Sequence, residues 1–250
     1  MTYFNNLGQA RVGWRIPSGG GTPSIITNGL ILNLDASNAS SYPGQGTVWT
    51  NTIGNNYNGV LSSGIGYTTN YGGGLTLDGI SNYVLLSGTN KPNTPTTNSG
   101  FSFGMWFNIN SWSAAKGIFQ ITYPNSLTST TPYVLLNTLN TNQIQYYVDN
   151  SWRSLGSTLT NRNAPQYISF TISINQFGFS VWKTYLNGVL QGTLNLTGPI
   201  TRLNTSDVYL GNGFNGFTFM NCYSTHMYNR TLSDAEVLQN FNNTKTRFGL

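Results

Sequence analysis

Six acidic side chains are the first constraint on any chemistry this 250-residue chain could perform. Retaining hydrolysis of a glycosidic bond needs two carboxyl groups about 5–5.5 Å apart, one acid and one nucleophile. Glu236 is the only glutamate, and it sits in Ser233-Asp-Ala-Glu236, a helix-capping sequence rather than an active-site one. No two of Asp35, Asp78, Asp149 and Asp207 are neighbours in sequence, although folding could bring a pair together. A Ser/His/Asp relay would depend on the single histidine, His226, which lies in a strand-like stretch and is expected to face solvent or a polar neighbour. Cys222, in the same stretch, has the character of a small core residue. The expectation is a protein that does not catalyse.

Binding chemistry is better supplied. There are 15 Tyr, 13 Phe and 6 Trp, set among abundant Asn, Thr, Ser and Gly, and only 7% of residues are charged. Ordinary soluble domains carry about 25% charge. Neutral sugars stack on aromatic faces and form hydrogen bonds with amides, carboxylates and backbone, so loop aromatics are candidate contacts. Trp112, Tyr146, Trp152 and Tyr209 are the expected ligand-binding positions, with Tyr123 and Tyr147 also beside loops. Trp49, Trp106 and Trp182 fit core packing instead. The net charge of +5 comes from eleven scattered Lys and Arg side chains. A phosphate-tracking groove needs clustered cations, so no nucleic-acid partner is expected.

The elements that must position these groups are short. Runs of β-branched and aromatic residues alternate with Gly, Asn and Pro clusters, and they predict strands at Leu30–Leu34, Leu75–Leu77, Tyr83–Leu86, Phe101–Ile109, Gly117–Thr122, Tyr133–Asn137, Ile144–Val148, Gln166–Ile174, Phe179–Leu186, Val189–Leu194, Asp207–Leu210 and Phe217–Tyr228. In Phe101-Ser-Phe-Gly-Met-Trp-Phe107 every odd position is apolar, the alternation of a strand with one buried face. Asn187-Gly188 between two strand runs signals a type I′ hairpin. One helix is predicted, capped at Ser233 and ending near Asn242–Asn243. The pattern is that of an all-β, two-sheet antiparallel sandwich with a short C-terminal helix. One cysteine excludes an intramolecular disulfide. No signal peptide and no membrane-spanning run are apparent, so synthesis in the cytoplasm without membrane insertion is expected.

Residues 1–26 read as a separate arm, with Ser18-Gly19-Gly20-Gly21 as a hinge, and residues 27–250 as the sandwich. Tyr3, Phe4, Arg11, Trp14 and Arg15 would anchor the arm to a partner or a neighbouring copy; the alternative is that the arm packs back on its own sandwich.

An ordered set of landmarks then carries a family resemblance. Gly29-Leu-Ile-Leu-Asn-Leu-Asp-Ala36 opens the domain, and Ser41-Tyr-Pro-Gly-Gln-Gly-Thr-Val-Trp49 leads to Gly54-Asn-Asn-Tyr-Asn-Gly59. Leu77-Asp-Gly-Ile-Ser-Asn-Tyr-Val84 and Tyr185-Leu-Asn-Gly188 follow, and Met227-Tyr-Asn-Arg-Thr-Leu-Ser-Asp-Ala-Glu236 leads to Lys245-Thr-Arg-Phe-Gly-Leu250. Residues from about Gly29 onward resemble the laminin-G-like branch of the concanavalin A-like lectin/glucanase superfamily, in a variant similar to domains of marine and cyanobacterial phage structural proteins. The resemblance implies a jelly-roll sandwich that binds rather than catalyses. The glucanase relatives carry Glu-x-Asp-x-x-Glu, which is absent here. It also implies calcium at a loop rim, held by Asp78 and Asn82, although Asn stands at positions 51 and 82 where the family often has Asp. The function expected is that of a virion surface protein, a capsid decoration or a head or tail appendage. It would be anchored to other virion proteins through the arm and would form a homo-oligomer. A receptor-binding lectin for host surface glycans is the alternative.

Overall fold

The computed structural model describes residues 25–54, 57–88, 91, 100–111, 116–122, 134–138, 143–148, 151–158, 164–196, 206–213 and 216–250. The first strands are β1 (Leu30–Asp35), β2 (Val48–Trp49), β3 (Asn58–Leu61), β4 (Gly66–Thr68), β5 (Gly74–Asp78) and β6 (Val84–Ser87). The middle of the chain supplies β7 (Phe101–Ile109), β8 (Gly117–Thr122), β9 (Val134–Thr138), β10 (Gln143–Val148), β11 (Ser151–Thr158) and β12 (Gln166–Ile174). Then come β13 (Ser180–Leu186), β14 (Val189–Asn195), β15 (Asp207–Leu210), β16 (Asn212–Gly213), β17 (Gly216–Phe217) and β18 (Phe219–Tyr228). Helix α1 (Asp234–Thr244) and a 3₁₀ turn (Lys245–Phe248) follow.

The strands form two sheets. One runs β14-β13-β12-β7-β18-β5-β4, with β1 also paired to β18; the other runs β11-β10-β9-β8-β15-β6-β3-β2, with β16 and β17 beside it. Large rings close the space between them. Phe103 of β7 meets Phe119 of β8 at 4.2 Å between centroids, and Phe170 stacks on Trp182 at 4.4 Å. Trp49, Trp182 and Cys222 are fully buried in this core, as their sequence setting predicts.

Alternation in β7 predicts one buried face, yet all nine of its residues are buried. The reason is a third layer. Helix α1 and the terminal turn lie on the outer face of the first sheet, where Trp106 stacks on Phe248 at 4.0 Å and on Phe241 at 5.7 Å. The Trp106 indole N–H donates to Thr244 Oγ1 at 2.8 Å. The capping box at Ser233 and Glu236 forms as expected, and Asn187 and Gly188 both take positive φ in the β13–β14 hairpin. The Ile26 N–H donates to Asn240 Oδ1 on α1 at 2.8 Å, so the chain is already held to the sandwich at that residue.

One expectation is corrected. The stretch Phe217–Tyr228 is not one strand: Phe217 pairs in the second sheet and Phe219 onward in the first. Between them the Thr218 hydroxyl donates to the Gly117 carbonyl at 2.7 Å, fixing the crossover. His226 takes the second of its two expected settings, facing a polar neighbour rather than solvent. It is buried beneath the helical layer, and the Tyr167 hydroxyl meets its Nε2 at 2.5 Å. A side chain at Gly104 would collide with both groups, which is why glycine stands at that point of β7.

Candidate functional site

The turn after β5 holds the two expected calcium ligands. Asp78 Oδ1 accepts the backbone N–H groups of Ile80, Ser81 and Asn82 at 2.8–2.9 Å. Burial acts to raise the Asp78 carboxyl, but these N–H donors and the Ser81 hydroxyl outweigh it and hold the group below the ordinary aspartate value. Asn82 is almost fully buried: its Oδ1 accepts from Asp78 N, and its Nδ2 donates to the Ser63 carbonyl. Calcium asks for six to eight oxygens directed at one point. All four side-chain polar atoms are engaged, Asp78 Oδ2 accepting the Ser81 hydroxyl at 3.2 Å, so the pair fits a turn clamp and not a calcium cage. Among the described residues no three His, Cys, Asp or Glu side chains converge on a metal-sized site.

The expected sugar contacts separate. Tyr146 is in the core, stacked on Trp182 at 5.7 Å, and presents no face to a ligand. Tyr209 is buried as well: its hydroxyl donates to Asp207 and its ring meets the edge of Tyr83. Both expectations fail for one reason. Alternation along β10 and β15 cannot say which tyrosine finds a neighbour to cover it. Trp112 and Tyr123 lie outside the described residues, as does the Trp152 side chain, and so do Tyr3, Phe4, Arg11, Trp14 and Arg15 of the arm.

The sequence gives little notice of a third surface, where the ends of β1, β4 and β5 meet the C-terminal turn. Tyr67 and Tyr71 are each close to 40% exposed there. Tyr71 lies in a 3₁₀ turn at φ 52°, ψ 34°, a left-handed conformation that costs a bulky residue roughly 1–2 kcal/mol. Arg247 holds the turn in place. Its Nε donates to the Tyr71 carbonyl at 2.6 Å, Nη2 to the Gly73 carbonyl at 2.7 Å, and Nη1 to Asp35 Oδ1 at 2.7 Å. A planar guanidinium spreads its donors over three nitrogens and can reach three acceptors placed around it, whereas the three donors of an ammonium all sit on one atom. The Tyr67 hydroxyl reaches across Gly73 to donate to the Ala36 carbonyl at 3.2 Å, and a side chain at Gly73 would block it. Ser37 donates its N–H and its hydroxyl to Asp35 Oδ1, leaving Oδ2 with no protein donor among the described residues. The available signal is the run Tyr71-Gly-Gly-Gly74, a tight turn that leaves its aromatic residue outside.

A polar cleft of about 480 Å³ lies elsewhere, between the outer face of β12 and β13 and the start of α1. Its Lys183 and Asp234 pair at 2.8 Å, the Tyr185 hydroxyl also donates to Asp234, and Thr231 donates to the Ile172 carbonyl. Its polar groups are largely occupied with one another.

The family model for the concanavalin A-like lectin/glucanases superfamily, of the laminin G type, matches residues 78–238. The chain belongs to that superfamily. No curated protein sequence matches it. Among solved structures, the Trypanosoma rangeli sialidase is similar at TM-score 0.65 and 15% identity, over 89% of this chain and 34% of the sialidase. Domain 4 of AbnA, a GH43 extracellular arabinanase from Geobacillus stearothermophilus in complex with arabinotriose, gives 0.60 and 13%, over 84% and 97%. The receptor-binding domain of botulinum neurotoxin D gives 0.62 and 14%, over 86% and 52%. At such identities the likeness is one of fold. The chain spans about a third of the sialidase chain and about half of the neurotoxin receptor-binding-domain chain.

Proposed function

We propose that the protein is a non-catalytic glycan-binding module displayed on the surface of a bacteriophage particle. The observation that carries the non-catalytic part is how the five acidic groups among the described residues are employed on this lectin-family sandwich; Asp149 lies outside the described residues. Asp35 holds Arg247, Asp207 pairs with Lys91, Asp234 with Lys183, Glu236 with Arg230, and Asp78 closes its turn. A glycosidase acid must stay protonated near neutrality, which requires a raised carboxyl pKa. The resolved shifts run the other way. Arg230 above all pulls Glu236 down to about 2, and Lys183 with Tyr185 lowers Asp234. Binding is supported by the fold, which the arabinotriose-bound domain shares.

The test is affinity electrophoresis of the full chain through gels containing polysaccharides, with release of reducing ends measured alongside. Retardation without release is expected; release of reducing ends would overturn the non-catalytic assignment. The virion setting rests on the phage-like landmarks and on the aromatic and basic arm. Gold-labelled antibody should mark intact particles, and deleting residues 1–21 should abolish incorporation while leaving the sandwich folded. Many copies over the head would indicate decoration. A few at the tail would favour the second assignment, a receptor-binding lectin that attaches the particle to host glycans.

A further inference from the structure

We infer that the Tyr67–Tyr71 rim is the glycan site and that it selects neutral rather than acidic sugars. This rests on the glycan-binding assignment above and gives it an address and a ligand class. The first ground is shape: two partly exposed phenol rings are set beside the same glycine, Gly73. Tyr67 is fixed through Ala36 across Gly73, and Tyr71 through the guanidinium that also binds Gly73. Each ring is supported from behind, Tyr67 by Tyr42 at 5.7 Å and Tyr71 by Tyr223 and Phe248 at 5.5 Å. Rings supported in this way lose little freedom when a ligand stacks on them.

The second ground is the polar inventory of the rim. Asp35 Oδ2 is an acceptor with no protein donor among the described residues, on a side chain one third exposed. The exposed Asn70 side-chain amide makes no hydrogen bond among the described residues, although its backbone N–H is bonded to Thr68. An open carboxylate oxygen accepts a sugar hydroxyl, and an amide can donate to or accept from a second. Aromatic walls with a few convergent polar groups are what a small-ligand site requires.

Charge decides the class. The cation of this rim, Arg247, is matched by Asp35 at 2.7 Å and is engaged by two carbonyls besides. It is a structural clamp, not a receptor for an incoming anion. The open oxygen belongs to Asp35 itself, so the carboxylate of an acidic sugar would meet like charge. Hydroxyl-only sugars meet no such penalty.

The experiment is affinity electrophoresis of the full chain through gels containing dextran, mannan, galactan, arabinan or polysialic acid. Wild type is compared with Tyr67→Ala, Tyr71→Ala, Asn70→Ala and Tyr71→Phe, and circular dichroism with thermal unfolding confirms that each variant is folded. Retardation by at least one neutral polymer is expected. Each tyrosine-to-alanine change should weaken it roughly tenfold, the scale of one lost ring contact and the area it covers. Tyr71→Phe keeps the ring and should stay within about twofold of wild type. Wild-type retardation in all three alanine variants would overturn the rim while leaving glycan binding intact. Retardation by polysialic acid alone would overturn the neutral class. If no polymer retards the wild-type chain, the glycan-binding assignment falls, and the rim with it.

Discussion

His226 is the only histidine in the chain, and its burial makes acid stability a direct test of the helical layer. Desolvation lowers its pKa from 6.5 to about 4, and the charge of Asp35 offsets this only in part. In the native state the ring is neutral, and its Nε2 is hydrogen-bonded to the Tyr167 hydroxyl, whose own pKa burial pushes well above 10. Between pH 6.5 and 4 the unfolded chain therefore carries a proton that the folded chain does not. Its contribution to stability is complete above pH 6.5 and is lost as pH falls toward 4. At 1.36 kcal/mol per pKa unit the loss totals about 3 kcal/mol. That is a large share of the roughly 5–15 kcal/mol that holds a domain together. The carboxylates act lower: the stabilisation from Glu236 is present above pH 4.5 and is lost as its folded pKa of about 2 is approached. The interval from pH 4.5 to 6.5 thus isolates the histidine. Urea unfolding followed by tryptophan fluorescence at several pH values should show the slope in wild type. His226→Gln retains an acceptor for Tyr167 but cannot titrate, so the slope should be absent. Parallel curves for the two proteins would refute the argument, as would an imidazole proton resonance that titrates near 6.5 in the folded protein.

Three further outcomes follow from the geometry. Arg247→Lys keeps a charge for Asp35 but loses the fork to Tyr71 and Gly73, and should cost about 2 kcal/mol in urea unfolding, two charge-assisted hydrogen bonds at a partly exposed site. Cys222 is buried and its thiol is pushed far up by desolvation, so a thiol reagent should leave the native protein unmodified and react fully once it is unfolded in urea. Because Asp78 and Asn82 spend their polar atoms on the turn, millimolar calcium should leave the thermal midpoint unchanged, and a shift of several degrees would contradict the turn-clamp description.

How much of this was legible beforehand depends on the range over which each signal acts. Local rules wrote the Asn187-Gly188 hairpin, the Ser233 cap and the limits of β7, β8, β12 and β15, because alternation and turn chemistry are set within a few residues. β11 was missed: Ser151-Trp-Arg-Ser-Leu-Gly-Ser-Thr158 has no apolar period, and it is a strand because β10 pairs with it. β2 and β4 are two and three residues long, too short for any periodicity. The crossover at Thr218 was hidden because both halves of the stretch are strand-like and only the Gly117 carbonyl separates them. The rim was out of reach for a similar reason. Tyr71 is held and supported by Arg247 and Phe248, some 175 residues further along the chain, and Tyr67 by Ala36 and Tyr42.

The pairing of β1 with β18 also sets a timetable. Leu30 faces Tyr228, so the first strand has no edge to join until about 200 more residues have left the ribosome. At roughly 5–20 residues per second that is about 10–40 s during which β1 lacks its strand partner β18. Arg247 emerges later still, and without it Tyr71 has no reason to hold its left-handed turn. A chain arrested anywhere before those final residues would therefore expose a sticky strand and lack a finished rim, so translation failures should surface as aggregates and not as soluble, partly active protein.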